Sequence, residues 1–220
     1  MTEPTALWMQ HQGLMVKSEF ITPWGKCDLV GASFKTNSVK HRRRLEQMGA
    51  VSSLTRAGML MRIPEIETGK SLRLKTLAKE YLTLMTEEDV IQHAEHLIAQ
   101  NFVRCSRGNQ LQRLNGWFPL HKRLMAIELK LSRIDQVMTQ ARNNLHFAEE
   151  SYVGLPHDVA LRVFSKRERW TDFFNQGVGL LSVRLTGCKV LIRSRARIER
   201  DAALQFYCVE KFWRSYIKGS

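Results

Sequence analysis

No apolar run in this 220-residue chain approaches the roughly 18–20 residues that span a bilayer, which excludes a membrane-crossing helix. The opening residues Met1-Thr2-Glu3-Pro4 carry neither the basic nor the apolar stretch of a secretory signal. There is no G-x-x-x-x-G-K-S/T loop, no G-x-G-x-x-G turn and no G-x-S-x-G elbow, so nucleotide-driven motor action and serine hydrolysis have no support. Cysteine is sparse: Cys27, Cys105, Cys188 and Cys208 lie far apart without C-x-x-C spacing, against a zinc knuckle or a disulfide framework. The expectation is a reduced, cytoplasmic protein whose cysteines are mostly small core residues. No internal repeat or low-complexity segment is visible.

Carboxylates are also in short supply. Asp and Glu number 21 against 34 Lys and Arg, giving a formal net charge of +13 and a pI near 10.0. Such an excess sets up a long-range positive field that attracts polyanions, with nucleic acid, DNA above all, the leading partner. An anionic membrane surface lacks the basic amphipathic helix it would require. At 44% hydrophobic residues the chain has enough apolar material for a core.

Residues 5–12 read as a short helix. Leu14 to Ile21 and Cys27 to Ala32 read as strands joined by the Thr22-Pro23-Trp24-Gly25-Lys26 turn. A hairpin closed there puts Ile21 opposite Asp28 and brings Glu19 and Asp28 to one face. Residues 35–47 hold the basic run His41-Arg42-Arg43-Arg44, readable as a solvated face or a phosphate contact. From about Ser52 to Trp117 helical spacing takes over: Leu54 to Ile63, Leu74 to Tyr81, and a third helix started by a capping box of Thr86 and Asp89. Two short strands follow, around Arg107-Gly108-Asn109. Three helices and a hairpin resemble a winged helix-turn-helix. The third helix, however, carries Glu87, Glu88, Asp89 and Glu95 and no Lys or Arg, so it suits packing or a protein partner better than phosphates. The hairpin, with Arg104, Arg107 and Arg113, is the part suited to a nucleic-acid backbone. His93 and His96 read as surface histidines without further ligands.

The segment Arg123 to Leu131 is the most informative. It reads as a buried strand that ends on one acid and one base, with Glu128 and Lys130 on one face and Ile127, Leu129 and Leu131 on the other. Burying a carboxylate and an ammonium is costly unless they are paired or bind a metal. Helical spacing over 132–149, a strand at 151–156, a helical turn from His157, strands at 178–185 and 189–192 and a helix over 199–217 complete a β-α-β rhythm. In the final helix Leu204, Cys208, Phe212 and Tyr216 form a core stripe. Basic clusters recur at Lys166-Arg167-Glu168-Arg169-Trp170 and from Arg193 through Arg195 and Arg197 to Arg200, where they could track phosphates.

Asp28 on one strand, Glu128-Leu129-Lys130 on another and Gln140 on the following helix resemble the PD-(D/E)XK nuclease superfamily. The resemblance implies an α/β, restriction-endonuclease-like mixed sheet flanked by helices, formed by residues 1–51 and 118–220, with residues 52–117 as a winged-helix-like insertion. It implies a metal-dependent nuclease acting on DNA, with Mg2+ (Mn2+ as substitute) held by Asp28, Glu128 and the Leu129 carbonyl. Lys130 would position water or phosphate, Glu19 would be an additional acid, and Gln140 would hold water or a backbone phosphate. Two departures stand out: Cys27 occupies the position before the aspartate, and Asn144 stands where many relatives have tyrosine. The alternatives are a nuclease-fold DNA-binding or scaffold protein without turnover, and a winged-helix transcription regulator.

Overall fold

The computed structural model describes residues 1–114, 120–195 and 199–218. In chain order the elements are α1 (Thr2–Gln10), β1 (Met15–Thr22), β2 (Gly25–Phe34), α2 (Thr36–Arg44), α3 (Leu54–Arg62), β3 (Leu72–Arg73), α4 (Leu74–Tyr81), α5 (Glu87–Ala99), β4 (Val103–Ser106) and β5 (Gln110–Arg113). They continue as β6 (His121–Leu129), α6 (Ile134–Asn144), β7 (Glu150–Pro156), α7 (His157–Ser165), α8 (Thr171–Asn175), β8 (Gly179–Arg184), β9 (Gly187–Ile192) and α9 (Ala202–Lys218). Two compact units result: residues 1–33 with 121–205, and residues 34–120 with 206–220.

The first unit is an α/β fold around a six-stranded mixed sheet in the order β1-β2-β6-β7-β8-β9. Its centre follows from sequence. β6, β7 and β8 are nearly continuous apolar runs, as parallel strands covered on both faces must be, and they pair in parallel through helical crossovers. One face packs Met125, Ile127, Leu129 and Leu181 against Met9 and its neighbours on α1. The other packs Val153, Leu155 and Leu180 against the Val137, Met138, Ala141 and Leu145 stripe of α6 and against Ala160 and Val163 of α7. β6 stops at Leu129, so Leu131, expected on its buried face, is 73% exposed.

At the other end of β6, Glu149 accepts hydrogen bonds from the His121 ring (2.8 Å), the Leu124 N–H (2.7 Å) and the Gln205 amide (2.7 Å). Burial pushes this carboxyl up, but the bonds from His121 and Leu124 outweigh it and hold the pKa below the ordinary value. The native state then binds fewer protons than the unfolded chain, so this stabilisation is complete above the unfolded pKa and is lost as pH falls through the native one. Glu149→Gln is expected to lower Tm at neutral pH. The deficit should close as unfolding is followed down past the ordinary carboxyl range, about pH 4.

The second unit holds α2 to α5, the β3-β5-β4 sheet and the rest of α9. The expected division differs here: 34–51 and 206–220 belong to this unit, and the expected 117/118 boundary lies outside the described residues. The Thr86–Asp89 capping box is present, each side chain accepting the other's backbone N–H. β3 was not expected, since two residues carry no period.

One reading is overturned: within the run His41-Arg42-Arg43-Arg44, readable as a solvated face or a phosphate contact, Arg42 is neither, being fully buried against Glu210. Cys27 and Cys208 are buried and Cys188 is half-buried, whereas Cys105 is exposed on an edge strand. Among the described residues no helix is long and apolar enough to cross a membrane.

Candidate functional site

Alternation along β6 turns Leu124, Ala126 and Glu128 toward α6. Glu128 lies opposite Val153 in the β6–β7 ladder, and only 3% of it is exposed. A carboxylate there needs a donor, and Asn144 at the end of α6 supplies one: its Nδ2 donates to Glu128 Oε1 at 2.7 Å and reaches Cys27 Sγ at 3.4 Å. Burial raises the Glu128 pKa. The Asn144 and Cys27 hydrogen bonds and the Lys130 charge oppose that rise, while the Asp28 charge adds to it. Lys130 is half-buried just past the strand and continues the ladder by donating its N–H to Gly154 O (3.2 Å).

Asp28 reaches the same place from the neighbouring strand. Its Oδ2 accepts the backbone N–H of Leu129 at 2.7 Å, the residue between Glu128 and Lys130. A local irregularity turns it there. The β1–β2 ladder pairs Ser18 with Leu29 and Phe20 with Cys27 but skips Glu19 and Asp28, and Glu19 adopts φ +48°. Across this break the strand changes face: Leu29 packs with Met9, whereas Cys27 lies beside Asn144. Such defects re-aim side chains at functional sites.

The turn is tighter than expected, with Thr22 opposite Gly25 and Ile21 opposite Lys26. That register is two residues from the expected one and preserves parity. Glu19 is nevertheless swung out by its left-handed φ; it is exposed and pairs with Lys26 (3.0 Å), so it does not join Asp28.

On α6, Gln140 lies one turn before Asn144 on the same face. Its Oε1 is buried and has no hydrogen-bond partner among the described residues. Asn144 is the residue that sequence reasoning noted as a departure and left out of the site. The signal was its i+4 spacing from Gln140.

A second polar group at the C-terminal edge of the sheet had no sequence signature. His157 Nδ1 lies 2.9 Å from Ser182 Oγ, and Arg184 donates to His157 Nε2. A guanidinium only donates, so Nε2 is the acceptor, Nδ1 carries the hydrogen, and Ser182 receives a bond instead of losing a proton. This is no activated nucleophile. His93 accepts from Arg56 (3.2 Å), and among the described residues no group of three or more His, Cys, Asp or Glu is placed to hold a metal. Of the late basic run, Ala196 and Arg197 lie outside the described residues.

No family model matches the chain, and no curated protein matches its sequence. Among solved structures, the SPO1766 protein of unknown function from Silicibacter pomeroyi is similar with a TM-score of 0.41 and 10% identity, covering 97% of this chain and 82% of that one. A likeness at that level carries no argument about fold or activity.

Proposed function

We propose that the protein is a metal-dependent nuclease of restriction-endonuclease-like fold that hydrolyses phosphodiester bonds in DNA. The observation that carries this reading is the Asp28 carboxylate bonded to the backbone between Glu128 and Lys130. Adjacent strands, β2 and β6, thereby bring an acid against an acid-x-Lys segment, with a Gln-bearing helix following.

Two carboxylates and a main-chain carbonyl are hard oxygen donors. They fit Mg2+, which keeps several waters and needs few protein ligands. Asp28, Glu128 and the Leu129 carbonyl would hold it, and when bound it would acidify a water and neutralise charge growing on the phosphoryl oxygens. Asn144 fixes the Glu128 carboxylate by donating to its Oε1. Lys130, a compact point charge, would orient the attacking water or the scissile phosphate. The unpartnered Gln140 Oε1 would accept from a water in the site. The test is cleavage of labelled DNA by the full chain in Mg2+ or Mn2+, with Asp28→Asn alongside; no cleavage by the wild-type chain in either metal removes the reading. The near-complete burial of Glu128 favours a second reading, a nuclease-fold DNA-binding protein without turnover, which predicts salt-sensitive binding and no cleavage.

For the second unit we propose a winged-helix-like module that meets nucleic acid through its sheet. The exposed residues of α5 include Glu87, Glu88, Asp89 and Glu95, so this helix repels phosphates. On the sheet, Arg73 lies opposite Gln110, Ser106 opposite Gln110 and Arg104 opposite Gln112, which places all five on one face with no carboxylate among them. Arg113 is not available there, since it turns inward to Glu65 and to Leu60 O. Arg73→Glu with Arg104→Glu is expected to weaken DNA binding and to flatten its log–log salt slope by up to about 2. Fluorescence anisotropy across a salt series checks this.

A further inference from the structure

Beyond the C-terminal end of β6 a cavity of about 520 Å³ opens between the start of α6 and the α7–Trp170 segment. Arg133, Arg162, Lys166 and Arg169 line it, against one acid, Asp135. All four cations are exposed, and among the described residues none of them forms an ion pair. Arg42, Arg113 and Arg123, by contrast, each meet a carboxylate.

The convergence is built by the chain. Arg162 and Lys166 stand four residues apart from α7 into its C-cap, an arrangement that is mildly destabilising for like charges. Arg169 follows in a 3-10 turn, its guanidinium 5.2 Å from the Trp170 ring centroid. Arg133 is held at φ +58°, a left-handed conformation that is strained for a non-glycine residue. Four unpaired cations around one hollow repel one another, and an anion relieves that repulsion.

We propose that this cleft is a subsite for the sugar-phosphate backbone of a polynucleotide strand, taking the phosphates next to the one at Glu128 and Lys130. The proposal rests on the nuclease reading for its register and on its own charges for its chemistry. Leu131, the first lining residue, directly follows Lys130, and successive phosphates of one strand advance only about 3.4 Å along a duplex axis. A strand held at Lys130 therefore continues into the cleft. Ile134, Val159 and Val163 give it apolar walls, which suit sugar faces and not a bare ion.

The experiment measures binding of a fluorescent DNA oligonucleotide to the full chain in EDTA, where cleavage does not intervene, across a salt series. Arg162→Ala with Lys166→Ala is expected to reduce affinity about tenfold or more and the salt slope by roughly 1–2, while Lys189→Ala with Arg214→Ala leaves both unchanged. The swap Arg162→Lys with Lys166→Arg restores the slope if charge is what matters. An unchanged slope in the alanine pair overturns the subsite even if the enzyme cleaves DNA. A wild-type chain that never cleaves but shows this slope change removes the nuclease reading and keeps the cleft. Inorganic phosphate competing as well as a dinucleotide at equal phosphate would overturn the strand assignment.

Discussion

If the proposed nuclease activity is present, Lys130→Ala and Glu128→Ala are each expected to lower the metal-dependent cleavage rate by a factor on the order of 10²–10³, the loss seen when one preorganised electrostatic contact is removed. The two should fail differently. Lys130 stands outside the donor set, so its loss should lower the single-turnover rate with little change in the metal concentration required. Glu128 is a proposed donor, so its loss should also raise that concentration. Asn144→Ala leaves the carboxylate chemistry in place but removes the 2.7 Å bond that orients it, so an intermediate loss is expected. Lys130→Arg should not restore the rate, because a planar fork does not replace a compact ammonium. Equal activity in the wild type, Glu128→Ala and Lys130→Ala chains would eliminate the site.

The largest stability effect is expected in the second unit. Arg42 and Glu210 have relative exposures of 0% and 1%. The guanidinium bonds both carboxylate oxygens, donates to Gln47 O (2.9 Å) and Gly49 O (2.6 Å), and lies 4.1 Å and 5.0 Å from the Trp213 and Phe102 ring centroids. Glu210 Oε2 also accepts the Val51 N–H at 2.7 Å. The pair thus ties α2, the chain after it and α9 together. Removing either partner strands a charge where water does not reach, at a cost of about 3–5 kcal/mol. For a chain of this length that is a fall in Tm of roughly 6–20 °C. Arg42→Met with Glu210→Met should destabilise less than either single alanine variant, since no charge is then left unpaired. Urea and thermal unfolding of the three variants measure this, and additive losses would refute the account.

These two regions show where sequence was informative. The E-x-K strand was legible because burial on both faces leaves an apolar run, against which a charged pair stands out. Asp28 was legible as an acid in a hairpin. Its approach to Leu129 was not, since it depends on a break in the ladder at Glu19 that no residue type announces. Glu19 failed as a site residue for the same reason: parity placed it beside Asp28, and one backbone angle removed it. Asn144 was visible only as a mismatch to a pattern, although the i+4 rule already put it on the Gln140 face.

Local pattern alone determined most of the helices and strands, the Thr86 capping box and the acid-x-lysine segment, because side-chain period and backbone capping are encoded within a few neighbouring residues. Tertiary structure decided what depends on partners far away in the chain. Glu210, 168 residues downstream, holds Arg42 inside instead of on a phosphate. Helix α6 presses Asn144 onto Glu128, and four cations spread from Arg133 to Arg169, with α6, β7 and α7 between the first and the last, meet around one cleft. Charge on a sequence does not say whether it is paired; only the packing that sets its neighbours and its access to water does.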